Sequence, residues 1–214
     1  MSQLDRAVEV MDRLRSPGGC PWDAEQTHAS LAKYLVEETY ELLEAIETGE
    51  IGLLREELGD LLLQVLFHAR LSQELPDGEA FGIDEVAADL VDKLVRRHPH
   101  VFEPDADPGR TPDQLNELWE RQKIAEKGRS SATDGVPVAQ PALALSAKLI
   151  ARAARAGLDP APAATTDIGD RLFALVRDAV DSGVDPESAL RGTARAYRAA
   201  ILSLEAAGSA KMDP

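Results

Sequence analysis

The 214-residue sequence is poor in several features that define whole classes of protein. Its one cysteine, Cys20, allows neither a disulfide within the chain nor a multi-cysteine metal site. Aromatic residues make up only 4% while alanine and leucine dominate, which favours helices over sheets. No apolar run approaches the length of a membrane span, and the first residues lack the basic-then-apolar order of a signal peptide. We therefore expect a globular, cytoplasmic, all-α protein with no membrane partner.

Basic residues are scarce as well. Lysine and arginine number 23 against 38 acids, and the formal net charge is −15. Non-specific nucleic-acid binding needs a basic surface, so we expect no nucleic-acid partner. A small anionic substrate remains compatible with this charge, because clustered carboxylates can hold Mg²⁺ and the ion then bridges to phosphates.

Helical patterns follow one another along the whole chain, and no segment alternates like a strand. We predict helices at Leu4–Leu14, from the cap Thr27 to Thr48, at Leu53–Glu74, at Ile83–Arg97 and from the cap Thr111. Gly49 and Gly52 are expected to bracket the break between the second and third of these. The expected segments are a catalytic domain at 1–128, a linker at 129–140, a second helical domain at 141–207 and a tail at 208–214.

Acidic residues occupy unusual positions in two of the predicted helices. Glu38 lies three residues after Leu35 and four before Leu42, within an apolar stripe, and Glu41 follows one turn later. An acid directed at a core without a partner is costly, so it requires a cation. For an EExxE pattern taken alone, a solvated charged face is the ordinary alternative.

The next predicted helix repeats this anomaly. Glu57 and Asp60 lie one turn apart at the entrance to the run Leu61–Leu66, which is apolar on nearly every face. We expect that run to be buried within a bundle or in a homodimer interface. Two antiparallel helices would bring both acidic pairs together across a crevice. Converging carboxylates without cysteines favour a hard ion, Mg²⁺ first and Mn²⁺ second.

Positive charges and an aromatic ring occur on later helices. Lys93 and Arg97 are four residues apart and share a face, as do Trp119 and Lys123. Taken singly, the cations fit a solvated face and the tryptophan fits core packing. Together they supply cations for phosphates and a ring for a nucleobase.

The spacing of the acids resembles the EExxE…ExxD signature of all-α NTP pyrophosphatases. It consists of Glu37-Glu38-Thr39-Tyr40-Glu41 and, sixteen residues after Glu41, Glu57-Leu58-Gly59-Asp60. Two further runs narrow the resemblance to the MazG family over about residues 5–127: Gly19-Cys20-Pro21-Trp22-Asp23 and Arg96-Arg97-His98-Pro99-His100-Val101-Phe102.

This resemblance implies a four-helix-bundle-like fold and hydrolysis of (d)NTPs to (d)NMPs and pyrophosphate, as in nucleotide-pool sanitation. It implies that Mg²⁺ is held by Glu38, Glu41, Glu57 and Asp60, with Glu37 as a further ligand or the base. It also implies that phosphates are bound by Lys93, Arg97 and Lys123, and that Trp119 contacts the nucleoside. Leu53 stands where some relatives have lysine, which affects phosphate binding or substrate range.

The C-terminal part resembles a shortened second copy of the first. Ile168-Gly169-Asp170 echoes Leu58-Gly59-Asp60, yet only Asp167 and Asp170 keep the ExxD-like spacing. The counterpart of Lys93 is alanine, Ala194 or Ala196. We expect this half to be structural.

Two alternatives stay open from the sequence. One is a narrower activity of the same superfamily, dUTPase-like or phosphoribosyl-ATP pyrophosphatase. The other is a non-catalytic module that binds nucleotide or metal to regulate a partner, which predicts saturable binding without turnover.

Overall fold

The computed structural model describes residues 1–103, 111–112, 114–115, 118–119, 122, 126, 130–160 and 167–209, with side chains described up to residue 207. All regular secondary structure in these residues is helical, which confirms the all-α prediction. The chain forms two compact units, Met1–Pro112 and Asp113–Pro214. In the described ranges no helix is long and apolar enough to cross a membrane. The predicted boundaries at 128 and 140 stay predictions.

The first unit contains six described helices. They are α1 (Gln3–Arg15), α2 (Pro21–Glu25), α3 (His28–Thr48), α4 (Ile51–Ser72), α5 (Ile83–Arg97) and α6 (Pro99–Phe102). Helix α3 begins after the predicted cap Thr27, whose side-chain oxygen accepts a hydrogen bond from the Ser30 backbone N–H. Proline disfavours the α conformation in the residue before it, so α5 ends ahead of Pro99.

Helices α3 and α4 form an antiparallel pair joined by a very short turn. Gly49 adopts a left-handed conformation with φ +74°, which closes α3 and leaves only Glu50 before α4. The prediction that Gly52 also breaks the helix is wrong, because this single left-handed residue completes the turn. The resulting register sets His28 against His68 at the open end and Glu41 near Glu57 closer to the turn.

The core of the first unit lies where α1 packs against α3 and α4. Its buried members are Met11, Leu31, Leu66, Phe67 and Leu71. Burial of each such side chain stabilises the fold by about 1.5–3 kcal/mol, so these contacts fix the α3–α4 pair against α1.

The apolar run of α4 is buried on one side only. Leu66 is buried, but Leu62, Leu63 and Val65 are 38%, 42% and 40% exposed. Leu62 and Leu63 line a shallow groove of about 190 Å³ between α1 and α4, together with Leu14. The single chain therefore leaves an apolar surface uncovered.

Arg15 connects the ends of three helices. Its guanidinium donates two hydrogen bonds to the Glu74 carboxylate, at 2.8 and 2.9 Å, and a third to the Asp23 backbone carbonyl. It also lies 6.0 Å from the centre of the Phe67 ring, and its side chain is 8% exposed. Arg70 donates to the same Glu74 carboxylate at 2.9 Å. The Arg15 hydrogen bonds hold the pKa of Glu74 below its usual value.

The second unit contains three described helices, α7 (Ala142–Arg155), α8 (Ile168–Asp181) and α9 (Pro186–Ser209). Arg152 of α7 donates hydrogen bonds to the backbone carbonyls of Ala132 and Asp134, at 3.4 and 2.8 Å. Asp170 and Phe173 line a cavity of about 740 Å³ in this unit. The helix predicted from Thr111 falls mostly outside the described residues and stays a prediction.

We expect Arg15→Met to lower the free energy of unfolding by about 1.5–3 kcal/mol, because it removes charge-assisted hydrogen bonds from a nearly buried group. Since the pKa of Glu74 is lowered, the stabilisation is present above the usual glutamate value of 4.5 and is lost as the pH falls through the lower folded value. Urea unfolding at several pH values measures both effects. Arg6→Met, on the exposed side of α1, is the control. Equal losses in the two variants would contradict the assigned role.

Candidate active site

Three carboxylates meet where α3 and α4 pack together. Glu38 and Glu41 project from α3 and Glu57 from α4, and one oxygen of each lies within 4.8 Å of the other two. The spacing of the first two places them one turn apart on one helix face. The short turn at Gly49 then brings α4 back so that Glu57 reaches them. Two separate sequence motifs thus form one acidic cluster.

The cluster runs from the interior to the surface. Glu57 is only 7% exposed, Glu38 is half-buried and Glu41 is exposed. The Oε2 atom of Glu57 has no hydrogen-bond partner within the described ranges. A buried carboxylate oxygen without a donor is unfavourable. The cluster therefore combines an unsatisfied buried acceptor at Glu57 with a solvent-exposed carboxylate at Glu41.

The electrostatics of the cluster disfavour full ionisation. Burial raises the pKa of Glu38, and the charges of Asp60, Glu41 and Glu37 and a hydrogen bond with Glu41 raise it further. Burial also raises the pKa of Glu57, followed by the charges of Glu41, Asp60 and Glu56. A bound cation would lower the pKa values of both acids, since it favours the ionised form of each.

The donor set fits a hard divalent cation. All three groups offer oxygen, the ligand that Mg²⁺ prefers, and ligand oxygens on opposite sides of Mg²⁺ lie about 4 Å apart. Oxygens already within 4.8 Å of one another need only small rotamer changes to reach that spacing. The Glu57 oxygen that has no partner would gain one.

Asp60 and Glu37 lie at the edge of this cluster. Both raise the pKa of Glu38, so both are close to it, but neither belongs to the group of described residues that meet within 4.8 Å. Asp60 is half-buried one turn after Glu57, and Glu37 is exposed. Their roles as ligand and base stay predictions.

The residues predicted to contact the phosphates and the nucleoside are Lys93, Arg97, Lys123 and Trp119. Lys93 is exposed and Arg97 is half-buried on α5, one turn apart, and α5 packs against α4. Trp119 is half-buried and belongs to the other compact unit, and Lys123 lies outside the described residues. The substrate contacts assigned to these four residues stay predictions.

Two polar residues of α4, His68 and Gln64, have no role in the site predicted from the sequence. His68 is half-buried and stacks on His28, with their Nδ1 atoms 2.7 Å apart. Burial lowers the pKa of His68, and His28 lowers it further. Gln64 was not singled out, although a glutamine within Leu61–Leu66 was the available signal, and it is 4% exposed.

Comparisons with known proteins identify the family. The family model of the MazG nucleotide pyrophosphohydrolase domain matches residues 26–102, which include the whole acidic cluster. An uncharacterized 26.1 kDa protein from Streptomyces cacaoi is 54% identical over 95% of this chain and 83% of its own length. A protein from Mycolicibacterium smegmatis, named nucleoside triphosphate pyrophosphohydrolase, is 44% identical over 97% of this chain, but the chain spans only 61% of that protein.

The chain spans a larger share of a relative from Thermotoga maritima. That relative is named nucleoside triphosphate pyrophosphohydrolase/pyrophosphatase MazG and is 38% identical over 91% of this chain and 82% of its own length. The match extends well beyond the acidic motifs into the second unit. On this similarity, and on the acidic cluster that lies inside the matched domain, the chain belongs to the MazG nucleotide pyrophosphohydrolase family.

Proposed function

We propose that this protein hydrolyses nucleoside and deoxynucleoside triphosphates at the α–β phosphoanhydride, in the presence of Mg²⁺, to a monophosphate and pyrophosphate. The observation that carries the proposal is the convergence of Glu38, Glu41 and Glu57 around an unsatisfied buried oxygen. The names of the relatives support the reaction class. A cytoplasmic role in nucleotide-pool sanitation is part of the proposal, because nucleoside triphosphates are solutes of that compartment.

The chemistry follows from the donor set. Glu38, Glu41 and Glu57, with Asp60 beside them, would hold Mg²⁺, which when bound neutralises charge on the phosphates and on the leaving pyrophosphate. Glu37, exposed beside the cluster, would take the proton from the attacking water. The water oxygen bonds to the α-phosphorus as the bond to the bridging oxygen of the β-phosphate breaks.

We assign the substrate contacts to the three cations and the aromatic ring that were predicted from the sequence. Lys93, Arg97 and Lys123 would bind the phosphates through charge-assisted hydrogen bonds. Trp119 would contact the nucleoside. The phosphate contacts are common to all triphosphates, so selectivity has to come from groups that touch the nucleoside.

We propose in addition that the protein is a homodimer. Leu62 and Leu63 line the groove between α1 and α4, and Val65 is exposed on the same helix. A second copy would cover these apolar side chains. The same helix holds Glu57, so an interface on α4 would also limit movement of the acidic cluster.

Phosphorus-31 NMR of ATP, dATP, dCTP and dUTP incubated with the protein and Mg²⁺ tests the proposed reaction. We expect monophosphate and pyrophosphate in equal amounts, and no product after chelation of the metal. Formation of diphosphate and inorganic phosphate would contradict the cleavage position. Turnover of dUTP alone would support the narrower activity, and binding without turnover would support the regulatory module.

Glu57→Gln should lower turnover by about 100-fold, the scale on which enzymes lose rate when one electrostatic group at the reacting centre is removed. Without metal the same variant should be more stable than the wild type at neutral pH. The pKa of Glu57 is raised, so its ionisation destabilises the fold progressively as the pH rises from the usual 4.5 through the folded value.

Thermal unfolding with and without Mg²⁺, together with kinetics, measures these changes. Glu56→Gln removes the same charge from an exposed neighbour on α4 and should retain turnover. A metal-free Glu57→Gln protein that is less stable than the wild type at pH 7 would contradict the account.

Leu63→Lys should convert the dimer to a monomer, because it places a charge in an interface that has to exclude water. Light scattering at micromolar concentrations measures the mass. Leu204→Lys, at an exposed leucine of α9, is the control and should leave the mass unchanged. A monomeric wild type, or an unchanged mass for Leu63→Lys, would contradict the dimer.

A further inference from the structure

Gln64 is a buried polar residue of α4. Its side chain is 4% exposed, and its Oε1 atom finds no hydrogen-bond partner in the part of the chain that the structure describes. Ser72, the other buried uncharged polar residue of α4, donates a hydrogen bond to the His68 carbonyl at 2.9 Å. Folded proteins pair nearly all such groups, so an unpaired acceptor at this depth requires an explanation.

The position of Gln64 relates it to the acidic cluster. It follows Asp60 by four residues and Glu57 by seven, which places it on the same side of α4, about 6 and 10 Å further along the axis. His68 comes one turn later, and its Nε2 atom is also buried and unpaired within the described ranges. Helix α4 thus presents a row of unsatisfied polar atoms that leads away from the cluster: Glu57 Oε2, Gln64 Oε1 and His68 Nε2.

This row has a definite direction. Towards the start of α4, the turn at Gly49 closes the helix pair, and the two residues one turn before Glu57 on its face of the helix, Leu53 and Leu54, are apolar. Towards its end the row passes Phe67, against which Trp22 packs edge-on with ring centres 6.5 Å apart. In a nucleotide the sugar and base follow the α-phosphate. If the phosphates lie at the carboxylates, the nucleoside extends along the side that offers unsatisfied polar groups.

We propose that Gln64 recognises the nucleoside, its Oε1 accepting a hydrogen bond from a donor on the sugar or the base. The proposal rests on the proposed function, because it takes the phosphates to lie at the acidic cluster. Binding of the nucleoside supplies the donor that Gln64 Oε1 lacks among the described residues. A buried acceptor favours ligands that carry the donor over ligands that do not, because the second kind leaves it unpaired.

Gln64→Met tests this assignment, since methionine keeps the length and approximate volume of the side chain and removes its polar atoms. The kcat/KM values of both proteins would be compared for ATP, 2′-deoxy-ATP, 3′-deoxy-ATP and purine riboside triphosphate, which lacks the 6-amino group. In the wild type, loss of the recognised donor should lower kcat/KM by about 2- to 10-fold, the value of one hydrogen bond. The analogue that loses rate identifies the sugar or the base as the source.

In Gln64→Met, kcat/KM for ATP should fall by the same factor. This variant should no longer discriminate between ATP and the analogue that lacks the recognised donor. A double-mutant cycle between residue and ligand requires both results. Leu66→Met, a buried substitution on the same helix, is the control and should keep the wild-type discrimination. The ligand-free Gln64→Met protein should also melt at a higher temperature, because the unpaired acceptor is gone.

The other outcomes are distinguishable. A wild type that hydrolyses no triphosphate overturns the proposed function and this inference with it. A wild type that is active but treats all four substrates alike overturns the role of Gln64 alone. That role is also overturned if Gln64→Met keeps the wild-type rates and discrimination, or if it melts at a lower temperature with unchanged discrimination, which is the result for a packing residue.

Discussion

The mutual repulsion of Glu38, Glu41 and Glu57 is the constraint around which this structure is built. Carboxylates held within 4.8 Å of one another resist ionising together, and this repulsion adds to the effect of burial in raising the pKa values of Glu38 and Glu57. The α3–α4 pair must therefore be held by other interactions. The core residues between α1 and these two helices supply them, and the left-handed Gly49 fixes the register.

Carboxylates at the two ends of α4 have opposite environments. Glu74, just after the helix, receives paired hydrogen bonds from Arg15 and another from Arg70, and its pKa is lowered. Glu57, near the start, is buried among other acids and has an oxygen without a partner in the described part of the chain. Acids of the first kind stabilise a fold, and acids of the second kind mark a site whose missing partner comes from solution.

Much of the fold could be predicted because local chemistry decides it. The Thr27 cap and the bounds of α5 were predicted closely, since capping and proline effects act within a few residues. The acids of the cluster were found because charges inside an apolar stripe are visible as a pattern. Gly52 was misjudged because one left-handed glycine suffices for the turn. Gln64 was missed because its lack of a partner depends on tertiary packing, which one sequence does not display.

We propose that a divalent cation completes the acidic cluster. Isothermal titration of the protein with Mg²⁺, in two buffers of different ionisation enthalpy and at several pH values, counts the protons released on binding. Because the pKa values of Glu38 and Glu57 are raised above the usual 4.5, we expect binding to release protons, and we expect this release to shrink as the pH rises above the raised values. Binding without proton release at any pH, or no binding of the ion even when a nucleotide is present, would contradict it.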